Sequence, residues 1–135
     1  VDAYLQSDKT PADYKDPFHT QFDMNARITT TPNWADANGT EEQFEKIMTQ
    51  KWLAIYPEGN EAWTEQRRTG YPKLFKVKVN NSGGAINTDE MIRRLPYPEG
   101  LKTSNPTQYS SLTRALGGAD TGGTRLWWDA GKNNF

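Results

Sequence analysis

TEEQFEKIMTQKWLAIYPEGNEAWTEQRRTG, residues 40–70, is the stretch whose reading decides the fold. Thr40 and Gln43 have the spacing of a capping box, and Glu41 and Glu42 suit the positive start of a helix. Phe44, Ile47, Met48, Trp52 and Ile55 recur at helical spacing, with Leu53 and Tyr56 widening the apolar face. Such a face is expected to be core, Trp52 included. Pro57 disfavours helical geometry at Tyr56, so the first helix should end there, and Gly59 completes the break. A second helix is then expected, capped by Asn60 and opened by Glu61. Trp63 and Arg67 stack one turn apart, Arg67 and Arg68 lie near the negative end, and Gly70 sits at the C′ position before Pro72. With so short a connection, the two helices should pack as a hairpin or bent pair.

Upstream, residues 1–39 are weakly patterned. Pro11, Pro17 and Pro32 interrupt any helix, and Asp, Asn and Thr supply turn chemistry. One helical turn near the start and a short strand at Arg27–Thr31 are expected within a long wrapping segment. Irregular segments of that length are uncommon in a compact domain unless they lie on a neighbour.

Downstream, LFKVKV at residues 74–79 alternates apolar residues with lysine, the two-residue period of a half-exposed strand. Asn80–Gly84 is a turn cluster, and IRRLPYPEG, residues 92–100, reads as extended. Asn105 should cap a third helix with Pro106 at its first position, and Tyr109, Leu112, Ala115 and Leu116 should line its buried face. Gly117 and Gly118 end it. Trp127 and Trp128 in the tail are expected to dock. The fold class is therefore mainly α with long loops and one short strand or hairpin.

Composition bounds the function. The 135 residues are 34% hydrophobic and 12% aromatic, so burial rests on a few large rings and the core should be shallow. A net charge of −1 argues against nucleic acid, which demands a positive field. Lys73, Lys76 and Lys78 read as a solvated face. The absence of cysteine excludes disulfides, thiolate metal sites and cysteine nucleophiles. No apolar run approaches the roughly 18 residues of a membrane span, and Val1 opens no signal peptide, so any export signal or anchor is expected upstream.

His19 is the lone histidine, and a triad or zinc site needs partners that it lacks in sequence. Glu58, Glu61 and Glu65 beside Trp63 raise the possibility of a glycosidase carboxylate pair, but their positions at helix starts and exposed turns favour a structural role. Neither a catalytic site, a metal site nor a cofactor is expected. Adjacent Arg67 and Arg68 face different sides of a helix, and an inward arginine must be paired. Asn38 and Asn80 open glycosylation patterns that capping and turn chemistry already explain. For ligand binding, a sugar stacks its C–H face on an aromatic ring while Asn, Asp and Arg take its hydroxyls. Trp34, flanked by Asn33 and Asp36 in a loop, fits that description best, and Tyr14 less well.

The stretch QKWLAIYPEGNEAWTEQRRTGYPKL, residues 50–74, resembles the signature near the C-terminus of SusD/RagB-type outer-membrane lipoproteins of Bacteroidetes. IRRLPYP at residues 92–98, Asn105, the Gly-Gly-Ala-Asp stretch at 117–120 and TRLWWD at 124–129 follow in the family's order. Members often carry a glutamate four residues before that asparagine, where this chain has Leu101, with Glu99 nearby. The resemblance implies a predominantly helical fold containing tetratricopeptide-type helix pairs, of which residues 1–135 are a single C-terminal segment: a wrapping part, 1–39, and a signature part, 40–135. It further implies a non-catalytic, lipid-anchored cell-surface protein that captures an oligosaccharide or other nutrient. The expected partners are a SusC-type TonB-dependent transporter and the remaining N-terminal portion of the same protein. A cell-surface glycoside hydrolase and a structural or adhesion element are the alternatives. Trp52, Trp63, Arg67, Arg68, Gly70, Tyr71, Trp127 and Trp128 belong to the family framework, so they are expected to hold architecture rather than ligand.

Overall fold

The computed structural model describes residues 10–129. The helical turn expected near the start falls outside them. Contacts divide the chain into two compact units, one ending at Phe75 and one beginning at Lys76.

In the first unit, an antiparallel bridge joins Tyr14 and Met24, and 3-10 turns occupy Thr20–Phe22 and Trp34–Asp36. Helix α1 follows at Thr40–Ala54 and helix α2 at Gly59–Thr69, and the two pack together. The break between them contains a cis Tyr56–Pro57 bond, and a second cis bond, Tyr71–Pro72, follows α2. The helix punctuation is displaced by one residue from expectation. Gly39, not Thr40, is the α1 N-cap, and its carbonyl receives Gln43 N–H at 3.1 Å. The Thr40–Gln43 box therefore does not form. Thr40 already lies inside the first turn, and it is the Glu42 carboxylate that reaches back, to Asn38 N–H at 2.8 Å. Likewise α2 starts at Gly59 with Glu58 as N-cap, so Asn60 is too far inside to cap and only its carbonyl is used, by Thr64. The C-terminus is as expected: Gly70 is left-handed at φ 80°, the conformation that favours glycine, and its N–H returns to Gln66 O.

Burial on α1 departs further from expectation. Glu45, Lys46, Met48 and Thr49 are its buried residues, while Phe44 and Ile47 are exposed and Trp52 is only partly covered. The apolar periodicity is present, but within this chain the covered side is the polar one. The charged groups buried there have partners: Glu45 pairs with Lys73 at 3.5 Å, and Lys46 with the 31–36 turn, whereas the Thr49 hydroxyl and Glu45 Oε1 accept no hydrogen bond among the described residues. Tyr71 seals the first unit, packing edge-on against Phe44 at 6.0 Å and donating its hydroxyl to Glu41 at 2.9 Å. Arg67 stacks over Trp63 at 3.9 Å, the pairing its spacing implied, while Arg68 turns outward to Glu65.

The second unit has α3 at Glu99–Ser104 and α4 at Pro106–Leu116, packed on each other. Helix α3 was not expected: Glu99 opens it and pairs with Lys102. Asn105 caps α4 through Gln108 N–H at 3.0 Å, with Pro106 in the first turn and a left-handed Gly117 closing it. The face of α4 is half-covered rather than buried, and Ala115 is exposed. No strand forms at 27–31 or 74–79 among the described residues. Phe75, Val77 and Val79 are exposed along with the lysines between them, so the alternation has neither a ladder partner nor a covered face. Residues 92–98 are extended as expected and held by two arginine clasps: Arg93 with Asp129 at 3.0 Å and Arg94 with Asp120 at 2.7 Å, all four side chains buried. Trp127 is 95% exposed, so it is not docked among the described residues, and Trp128 is partly exposed.

Candidate functional site

The residues singled out for binding fall on two loops of the first unit. Asn33 is the N-cap of the 34–36 turn, its Oδ1 accepting from Ala35 N–H at 3.0 Å, and Ala37 N–H closes the turn on Trp34 O. Trp34 is 53% exposed and makes neither a ring contact nor a hydrogen bond through its indole among the described residues. Its N–H and the Asn33 amide N–H₂ group are open donors beside an open ring face.

Asp36 is placed differently from a ligand acceptor. Its Oδ2 accepts from Thr31 Oγ1 at 2.6 Å and its Oδ1 from Lys46 Nζ at 2.6 Å. These two hydrogen bonds, the lysine's first, hold its carboxyl below the usual carboxylate range. Lys46 also donates to Thr31 O at 2.8 Å and lies 3.7 Å from Glu42. A buried α1 lysine thus ties both ends of the turn that carries Trp34. Sequence reading passed over Lys46, because it falls outside the apolar periodicity and its partner lies ten positions upstream.

Tyr14 stands on the other loop, where Asp16 organises the chain by accepting from Phe18 N–H at 3.0 Å and His19 N–H at 2.8 Å. The Tyr14 hydroxyl donates to Asp16 Oδ2 at 3.2 Å, and that bond raises its pKa. No hydrogen bond or ring contact joins Tyr14 to the Trp34 turn, so the two are not one constellation. His19 sits 3.8 Å from Asp16 with its ring against Phe22. Among the described residues no cluster of histidine and carboxylates could hold a metal ion.

Of the carboxylates near Trp63, Glu61 and Glu65 are engaged in ion pairs. Glu65 accepts from Lys51 at 2.9 Å and pairs with Arg68, and these bonds hold its carboxyl low. A proton donor to a leaving group requires the opposite shift. Beside them, Trp52, Leu53, Tyr56, Pro57 and Ala62 line an apolar recess of about 710 Å³. In the second unit Tyr97, Leu116, Arg125 and Trp127 border a smaller one of about 300 Å³.

Comparison with known proteins places the chain. Residues 1–129 match the SusD-like family, described as Susd and RagB outer membrane lipoprotein. A SusD homologue from Bacteroides vulgatus ATCC 8482 is 61% identical, with a TM-score of 0.77 over 98% of this chain and 27% of its own. A chitin-binding SusD homologue from Flavobacterium johnsoniae is 43% identical, with a TM-score of 0.78 over 99% of this chain and 28% of its own. A further homologue, from Bacteroides thetaiotaomicron VPI-5482, is 39% identical with a TM-score of 0.72, over 95% of this chain and 28% of its own. No curated protein matches. The chain spans little more than a quarter of the length of these solved structures. Its helical, strand-poor architecture is that of the corresponding part of SusD homologues, and the chain belongs to the SusD-like family of outer-membrane lipoproteins.

Proposed function

We propose that the protein containing this chain captures an oligosaccharide at the cell surface without cleaving it, for import through a SusC-type TonB-dependent transporter. The observation that carries the residue-level part is the Trp34 turn: a half-exposed indole with free N–H groups on itself and on Asn33, held from beneath by Lys46 and Asp36. A sugar offers an apolar C–H face to such a ring and hydroxyls to such donors, and a clamped loop loses little freedom on binding. In this reading Trp34 stacks, Asn33 takes a hydroxyl, and Asp36 holds the turn. Tyr14 offers a separate, weaker contact. The rest of the binding surface lies in parts of the whole protein beyond these residues.

The Flavobacterium homologue is chitin-binding, so chitohexaose heads the test panel, with maltohexaose, cellohexaose and xylohexaose. The whole protein is titrated with each by calorimetry, and the mixtures are then chromatographed. Reversible binding with every hexasaccharide recovered intact is the expected result. Shortened products would establish the glycosidase alternative instead.

A further inference from the structure

We infer that Lys46 is the positioning residue of the Trp34 turn, setting the orientation of the indole from the helix beneath it. The inference deepens the glycan-binding reading, on which its effect on affinity rests. A lysine with 3% exposure is unusual, and a buried ammonium needs compensating partners. Lys46 finds them all on, or next to, a single short loop. Nζ reaches Thr31 O at 2.8 Å, Thr31 Oγ1 at 3.3 Å and Asp36 Oδ1 at 2.6 Å, with Glu42 on its own helix 3.7 Å away. Thr31 and Asp36 are the two ends of the loop, and they are joined directly by the Thr31 hydroxyl to Asp36 Oδ2. The ammonium therefore closes a ring of polar contacts whose remaining arc is Pro32, Asn33, Trp34 and Ala35.

Lys46 is the link between the Trp34 turn and helix α1. The Trp34 indole makes no ring contact or hydrogen bond among the described residues, and the turn's own bonds are the Asn33 cap, the Trp34–Ala37 bond, Asn33 N–H to Thr31 Oγ1 at 3.3 Å and the Thr31–Asp36 bond. Three-residue 3-10 turns are weak structures when left alone. Without the ammonium, Thr31 O and Asp36 lose their common donor. The arc keeps the exposed Thr31–Asp36 bond and its own turn bonds but loses this tie to the helix and its charge, so the ring gains freedom to reorient. A stacking surface whose angle varies binds less tightly, because ordering it is then charged to the ligand.

The test uses the whole protein labelled with 5-fluorotryptophan, its Trp34 ¹⁹F resonance identified by Trp34→Phe. Lys46→Met, which keeps the stem and removes the charge, is expected to shift or broaden the Trp34 line while the other tryptophan lines stay. Asp36→Asn, which keeps the shape and one acceptor oxygen and leaves Glu42 near the ammonium, is expected to move the same line by a smaller amount and serves if the lysine variant does not fold. For each hexasaccharide of the panel that the unaltered protein binds, Lys46→Met should weaken affinity about tenfold. Lys46→Met combined with Trp34→Ala should be no weaker than Trp34→Ala alone, a non-additivity that a general loss of stability does not produce. An unmoved Trp34 line in the folded variants overturns the inference. A moved line in a protein that binds no hexasaccharide leaves positioning intact and removes the glycan reading.

Discussion

The ammonium of Lys46 lies 2.6 Å from Asp36 Oδ1, joining a buried helical residue to an exposed turn ten positions earlier. This pair links the fold of the first unit to its candidate binding surface. It also gives the turn an acid dependence. The Asp36 carboxyl is held below its ordinary value near 3.8, first by the hydrogen bond from Lys46 and then by that from Thr31. A depressed folded pKa means the stabilisation is complete above the ordinary value and lost as pH falls through the lower one. The Trp34 ¹⁹F line should therefore be constant from pH 8 to 5 and move only below about pH 4. In Asp36→Asn that acid transition should vanish. A transition near neutrality would contradict the assignment.

Tyr71 titrates at the other extreme. Burial, and then its hydrogen bond to Glu41, push its hydroxyl up to about 12. The folded state thus favours the neutral phenol, so its contribution is intact below pH 10 and erodes as pH rises towards 12. Difference absorbance at 295 nm should contain a late tyrosine step, absent from Tyr71→Phe. The phenylalanine variant should also lose less stability between pH 10 and 12 than the parent.

The Arg93–Asp129 pair is enclosed on both sides, with Arg125 adding a second contact to the same carboxylate at 3.2 Å. Removing one buried partner strands the other charge, at a cost of about 3–5 kcal/mol. Asp129→Ala should lower hydrogen-exchange protection of the Arg93 and Arg94 amides, which bond Gly122 O, by an opening free energy of that order. Protection unchanged within about 0.5 kcal/mol, the scatter of an ordinary surface substitution, would show that the clasp carries no such load.

Gly117 closes α4 at φ 72°, and a methyl group added there meets no atom within 4 Å. Any penalty for Gly117→Ala is therefore backbone strain, about 1–2 kcal/mol. Asn at the same position should cost less, since it tolerates left-handed geometry. Thermal melts of the two variants give the comparison, and equal losses would point to a steric cause instead.

These features differ in how far the sequence shows them. Gly70, Gly117, Asn105 and Pro106 act within one helical turn of themselves, so their roles are legible from local chemistry and stand as expected. The N-cap of α1 is off by one because Gly39 and Thr40 are both competent caps, and only the chain path before them decides. LFKVKV shows the limit of periodicity, since alternation makes a strand only where another strand pairs with it. The apolar stripe of α1 was legible as a stripe, but which side of the helix is covered depends on residues far away. That Trp34 and Asn33 share an exposed turn was legible, whereas the use of Asp36 was not. Its partner Lys46 is brought to it by tertiary path, and no spacing rule encodes that. The family signature succeeded for a different reason, because it records the outcome of such long-range packing rather than its cause.

The most direct measurement is calorimetric titration of Trp34→Ala against the unaltered whole protein with the hexasaccharide it binds best. Truncating an aromatic anchor at the centre of a contact costs about 2 kcal/mol, close to thirtyfold in affinity. The predicted result is a weakening of that size with the fold retained by circular dichroism. An affinity unchanged within twofold would contradict the central claim and place the sugar elsewhere on the protein.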